Sequence, residues 1–86
     1  RKKRRQYQFC YSQQLQRFEN LKGTIKVAFT ITESGRVIGA KVASGTDLSN
    51  EAVQNCVRNV TASIVFPQPE SGGMVKVTYP FRFKPN

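Results

Sequence analysis

GTIKVAFTITESGRVIGAKVAS, residues 23–44, decides the fold. Ile25, Val27, Phe29 and Ile31 alternate with Thr24, Lys26, Ala28, Thr30 and Thr32. That is a period of two in β-branched and aromatic residues, the pattern of a strand with one buried face. Glu33-Ser34-Gly35-Arg36 follows, and Gly35 can supply a positive φ without a Cβ clash. A second run then starts at Val37. A four-residue loop sets Thr32 opposite Val37, Ile31 opposite Ile38, Phe29 opposite Ala40 and Val27 opposite Val42. The apolar pairs then share one face, so turn length and pattern agree on one register.

On either side of this hairpin the period changes. Before it, residues 5–21 read as a helix, with Tyr7, Cys10, Tyr11, Leu15 and Phe18 recurring at three- and four-residue steps. Gln6, Gln8, Gln13, Gln14, Gln16 and Arg17 cover its other face, and Gly23 closes it. An aromatic stripe at this spacing reads as core rather than as a cofactor site. After the hairpin, Leu48, Ala52, Val53, Cys56, Val57, Val60 and Ile64 mark a second helix. Asp47 or Ser49 can cap it, and Glu51 suits its first turn. Pro67 and Pro69 end it, and Gly72-Gly73 turns the chain.

The last run, MVKVTYPFRF, alternates Val75, Val77, Tyr79, Phe81 and Phe83 with Lys76, Thr78, Pro80 and Arg82. Pro80 lacks an N–H, which places this strand at a sheet edge. A right-handed return over the first strand sets the last strand beside it. The expectation is therefore an α+β fold in two layers, α-β-β-α-β. Its three-stranded antiparallel sheet has the order 2-1-3, with two helices on one face.

Eighty-six residues suit a single domain with a modest core. Six Phe and three Tyr can anchor that core without any Trp. The net charge is +9, but RKKRR at the start holds five of the fourteen cations; without it the charge is +4. Residues 1–5 read as a basic linker end or helix lead-in, and 6–86 as the domain. A basic cluster of this kind can bind nucleic acid or anionic lipid, so Arg1–Arg5 carry an alternative function. No aromatic RNA-recognition motif or second basic stripe accompanies it, so nucleic acid is not the expected partner. No apolar run reaches the ~20 residues of a membrane span. The chain begins at Arg1 rather than Met, so an anchor or leader could precede it.

Chemistry is thin. There is no His, and Glu19, Glu33, Asp47, Glu51 and Glu70 are scattered. No acid–base pair or activated nucleophile emerges, which argues against an enzyme. Gly35 and Gly39 sit in a strand context, so they form no phosphate loop, and no cofactor is expected. Asn59-Val60-Thr61 matches a glycosylation sequon but lies in the second helix. Cys10 and Cys56 are too few for zinc, and they could remain buried thiols or form one disulfide. Such a bridge would close a loop of about 46 residues, worth roughly 4 kcal/mol. Each Cys lies on the apolar stripe of its helix, so helices sharing one face could bring them together, which favours the disulfide and an oxidising compartment.

Binding is the remaining class, and the free edge of the last strand is its candidate site. Met74, Val75, Lys76, Val77, Thr78 and Tyr79 would supply backbone bonds to an added strand. Lys76, Thr78 and Arg82 would offer outward side chains, with Lys76 or Arg82 free to meet an acidic residue. The same edge could instead pair with itself in a self-associating module.

LKGTIKVAFTITESGRVIGAKVASGT, VQNCVRNVTASIVFPQP and VKVTYPFRF together resemble the TonB C-terminal-like domain, most closely its AgmX/PglI branch of gliding motility proteins. The resemblance rests on Cys10-Tyr11, Leu15, Gly23, Ile25, Val27, Phe29 and Ile31. It continues through Gly35, Val37, Cys56, Phe66-Pro67, Pro69, Tyr79, Pro80, Phe81 and Phe83, covering about residues 9–83. Val65 departs from it where the family has Trp, as do Ala43-Ser44-Gly45 after the second strand. The resemblance implies a periplasmic domain at the C-terminal end of an inner-membrane protein. It implies partners in two places: a peptide of an outer-membrane or periplasmic protein, and an inner-membrane motor complex reached through upstream chain. Membrane contact would come only through an upstream anchor, and the domain would be a monomer or weak dimer. It also implies a Cys10–Cys56 disulfide.

Overall fold

The computed structural model describes residues 2–70 and 72–85. The elements run α1 (Lys2–Leu15), β1 (Gly23–Ile31), β2 (Val37–Val42), α2 (Glu51–Ala62) and β3 (Val75–Phe83). The sheet order is β2-β1-β3 with both pairings antiparallel, as expected. Ile25, Val27 and Phe29 of β1 bury one face, and Tyr11, Leu48, Val53 and Val57 from the helical layer close over it. Alternation on β1 thus became burial on one side only.

The hairpin departs from the expected register by one residue near its turn. Ile31 pairs with Val37 and Thr30 with Ile38, whereas Val27 pairs with Val42 as expected. A bulge opposite Phe29 absorbs the difference. Gly39 sits there at φ +66°, the left-handed conformation that a bulge of this kind needs. The bulge lets apolar residues at both ends of the hairpin face the core.

α1 begins at Lys2, earlier than expected, and ends at Leu15 rather than near residue 21. Residues beyond Leu15 form turns, and Phe18 is half-exposed rather than part of a buried stripe. Its ring instead lies under the Arg17 guanidinium, 5.7 Å from it. Tyr7 packs on Phe81 (4.3 Å between centroids) and Tyr11 on Phe83 (5.1 Å), so α1 lies along β3. The Tyr11 hydroxyl donates to the Leu21 carbonyl.

The cap of α2 is Asn50, whose Oδ1 accepts the Val53 N–H at 3.0 Å. Asp47, expected as a cap, instead accepts the Thr24 N–H at 2.7 Å, where β2 no longer reaches. Ala52 is exposed, and Thr61, which an apolar stripe omits, is fully buried. Thr61 donates to the Val57 carbonyl (2.9 Å) and accepts from the Tyr7 hydroxyl (2.7 Å). Cys10 and Cys56 form a disulfide with Cα atoms 5.6 Å apart, pinning α1 to α2.

Candidate partner-binding edge

β1 is the central strand, so its backbone groups must divide between two neighbours. Lys26 O accepts from Ala43 N, Lys26 N donates to Thr46 Oγ1, and Thr32 N donates to Arg36 O. Even-numbered residues of β1 therefore face the β2 side. Odd-numbered ones face β3, where Ile25 pairs with Phe81, Val27 with Tyr79 and Phe29 with Val77. In an antiparallel ladder such pairs point their backbone groups at each other. On β3 the groups of Val75, Val77, Tyr79, Phe81 and Phe83 thus turn inward. Those of Lys76, Thr78, Pro80 and Arg82 turn to the free edge.

Pro80 falls on the outward set. Its missing N–H costs the β1–β3 ladder nothing, which is why a proline is tolerated mid-strand. The open edge offers N–H donors at Lys76, Thr78 and Arg82, and carbonyl acceptors at those three and at Pro80. An uninterrupted run for an added strand is therefore short, centred on Lys76–Thr78.

Of the residues singled out from sequence, Lys76, Thr78 and Arg82 are exposed within β3, and Tyr79 is 52% exposed although its neighbours on that face are more buried. Val77 is half-buried. Met74 is exposed but precedes the strand, so it stands outside the ladder. The other edge of the sheet is less open. Val65 pairs with Arg36, Phe66 N donates to Gly35 O at 2.8 Å, and the bulge at Gly39 breaks β2 beyond them. Cys10 and Cys56 lie in the helical layer, where their role is structural.

Sequence reasoning did not find a groove of ≈ 620 Å³ on the helix side of β3. Phe29, Phe66, Val77 and Phe81 give it apolar walls, Tyr79 stands in its lining, and Lys3 and Arg4 of α1 border it. Phe66 stacks on Phe29 at 6.1 Å, and Tyr79 meets Phe81 at 4.8 Å. The groove arises because α1 covers Phe81 and Phe83 but leaves the Val77 end of β3 uncovered. Lys3 Nζ donates to Ser63 Oγ at 3.1 Å, which holds the first turn of α1 over the end of α2. Burial, opposed in part by the Thr61 hydrogen bond, pushes the Tyr7 phenol above its ordinary pKa, and burial does the same for Tyr11. Among the described residues no group of His, Cys, Asp and Glu could hold a metal ion. No described helix is long and apolar enough to cross a membrane.

Residues 8–85 match the family described as Gram-negative bacterial TonB protein C-terminal. The chain belongs to the TonB C-terminal family. The fold is similar to the solution structure of the Helicobacter pylori TonB C-terminal domain. That match has a TM-score of 0.56 and 25% identity, and covers 94% of this chain and 78% of the other. No curated protein matches the sequence. TonB C-terminal domains are periplasmic parts of Gram-negative envelope proteins, and they mediate protein interactions in envelope-spanning energy transduction rather than catalysis. Neither match separates the gliding-motility branch from the rest of the family.

Proposed function

We propose that this TonB C-terminal domain captures an extended segment of an outer-membrane or periplasmic protein as a fourth strand beside β3. The observation that carries the reading is the outward set of backbone groups at Lys76, Thr78, Pro80 and Arg82, on the edge left open. Main-chain bonds would supply the affinity, while exposed Lys76 and Arg82 would favour an acidic partner. In this reading the domain lies in the periplasm, at the C-terminal end of an inner-membrane-anchored protein. An upstream motor complex would supply energy for transport of the TonB kind or for gliding motility. The domain would act as a monomer or weak dimer.

Peptide titration followed by amide shifts tests the proposal, with candidate partner segments added to labelled protein. Shifts should concentrate at residues 74–83. Thr78→Pro removes one outward N–H and leaves the β1 pairing intact, so it should keep the fold and weaken binding about tenfold. Shifts on another surface, or full affinity in a folded Thr78→Pro variant, would sink the strand-addition reading.

A further inference from the structure

We propose that the uncovered face of the sheet is a docking surface for an anionic lipid leaflet. The inference goes beyond strand capture and does not depend on it. Ile25, Val27 and Phe29 point to the helices, so the even-numbered side chains of β1 point the other way. Both helices pack on the first face, through Cys10, Tyr11, Val53 and Val57. Among the described elements none remains to cover the second.

The fold sorts charge onto that face. Of the fourteen cations, five open the chain, Arg17 follows α1 and Arg58 lies on α2. The other seven belong to the uncovered face or its two ends. Lys26 stands on β1, Lys41 is paired with Ala28, Lys76 with Thr30 and Arg82 with Thr24. At one end Lys22 and Lys84 share a shallow depression with Thr24 and Arg82. At the other, Arg36 leads into β2. Carboxylates are kept away: Glu19, Glu33 and Glu70 lie in turns, and Glu51 opens α2. Asp47 reaches one rim, where its Oδ1 accepts the Thr24 N–H at 2.7 Å.

The spread of charge decides between a small anion and a surface. Lys76 and Arg82 are ~20 Å apart along β3, and Lys41 is displaced from that line by two strand spacings, ~10 Å. No compact anion spans such distances, and a single extended chain follows one line only. An apolar pair then decides between a soluble polyanion and lipid. Arg36 forms a bridge with Val65, so their side chains stand on the same side, as does Ile38 two residues on from Arg36. The adjacent Phe66 turns the other way, onto Phe29. Val65 is 72% exposed and Ile38 48%. Two uncovered apolar side chains flanked by Arg36 and Lys41 have the two-part chemistry of an interfacial surface: insertion between headgroups, with cations over the phosphates. The cations of α1 lie behind the sheet, across a layer ~10 Å thick, about one Debye length.

Co-sedimentation with phosphatidylcholine vesicles, with and without about a third phosphatidylglycerol, tests the assignment. The protein should bind only the anionic vesicles and lose binding steeply as salt rises. Arg36→Gln/Lys41→Gln should weaken binding roughly thirtyfold. Ile38→Ser/Val65→Ser alters no charge and should weaken it about tenfold. Lys3→Gln/Arg4→Gln, on the far side, should change it by less than about threefold. Thermal unfolding checks that each variant is folded. Equal binding to neutral vesicles, or a loss caused by the Lys3/Arg4 pair rather than the Arg36/Lys41 pair, would overturn the inference. Indifference to the Ile38/Val65 change would overturn it as well. So would tight binding of soluble poly-glutamate with no affinity for vesicles, which would make the face a surface for acidic protein. Strand capture by β3 would stand in each case.

Discussion

Removing the Cys10–Cys56 bridge should cost this domain a large part of its stability. The bridged residues are 46 apart in sequence. In the chain-entropy account, a loop of that length removes about 13.5 cal/mol/K from the unfolded ensemble, or about 4 kcal/mol at 25 °C. A domain of this length has a total stability of roughly 4–13 kcal/mol, so the loss ranges from a third to nearly all of it. Cys10 is also buried at 2% exposure, so Cys10→Ala/Cys56→Ala leaves unfilled space that adds to the loss. At about 4–8 °C per kcal/mol, the melting temperature should fall by about 15–30 °C. Thermal circular dichroism of the double variant against the oxidised protein measures it directly. The oxidised protein treated with reductant should follow the variant, and denatured, unreduced protein should show no free thiol. A fall of under ~5 °C would refute the loop-entropy reasoning. Two titratable thiols in the native protein would refute the bridge itself.

Three further outcomes can be measured on the same protein. Gly35 holds φ +90°, and a Cβ there would lie 2.0 Å from the Phe66 carbonyl oxygen, whereas Gly39 at φ +66° faces open space. Gly35→Ala should therefore cost more than Gly39→Ala, which carries only the left-handed penalty of about 1–2 kcal/mol; equal losses in urea unfolding would contradict the packing argument. Thr61→Val leaves the Tyr7 hydroxyl without its partner and should destabilise by about 1–3 kcal/mol, with Tyr7→Phe/Thr61→Val recovering part of the loss; an additive double variant would argue against the bond. Tyr7 and Tyr11 have raised native pKa values, so the folded state holds protons that the unfolded chain releases above about pH 10. That contribution is full below pH 10 and fades as pH climbs through the native values. Urea midpoints should thus drop beyond pH 10, and less steeply in Tyr11→Phe.

The sheet was legible because each strand carries its own signal. β1 alternates without interruption, β3 alternates with a proline, and one crossover remains between them. Pro80 even encoded which way the edge faces, since only an outward position spares the ladder. The bulge at Gly39 was hidden because a glycine in a strand-like run does not announce its φ. Asp47 and Asn50 are both good caps, and only the distance to Thr24 assigns them different tasks. The start of α1 was obscured because Lys2–Arg5 have no apolar period; Lys3 is held by Ser63 across the fold instead. Arg1 lies outside the described residues, so the five-residue basic cluster can be placed only from Lys2 onward. The groove could not be read from the sequence, because it is a gap between α1, the loop after α2 and β3.

In the proposed role, a domain loaded through a captured strand has a mechanical order as well as a fold. β3 is stitched to β1 along nine residue pairs, while its outer side offers a short run interrupted at Pro80. A load applied through a strand captured there would pull on the shorter seam first. The partner would slip free before β3 peeled from the sheet. Pro80 would then act as a fuse, setting how hard the captured segment can be pulled while leaving the domain intact for the next engagement.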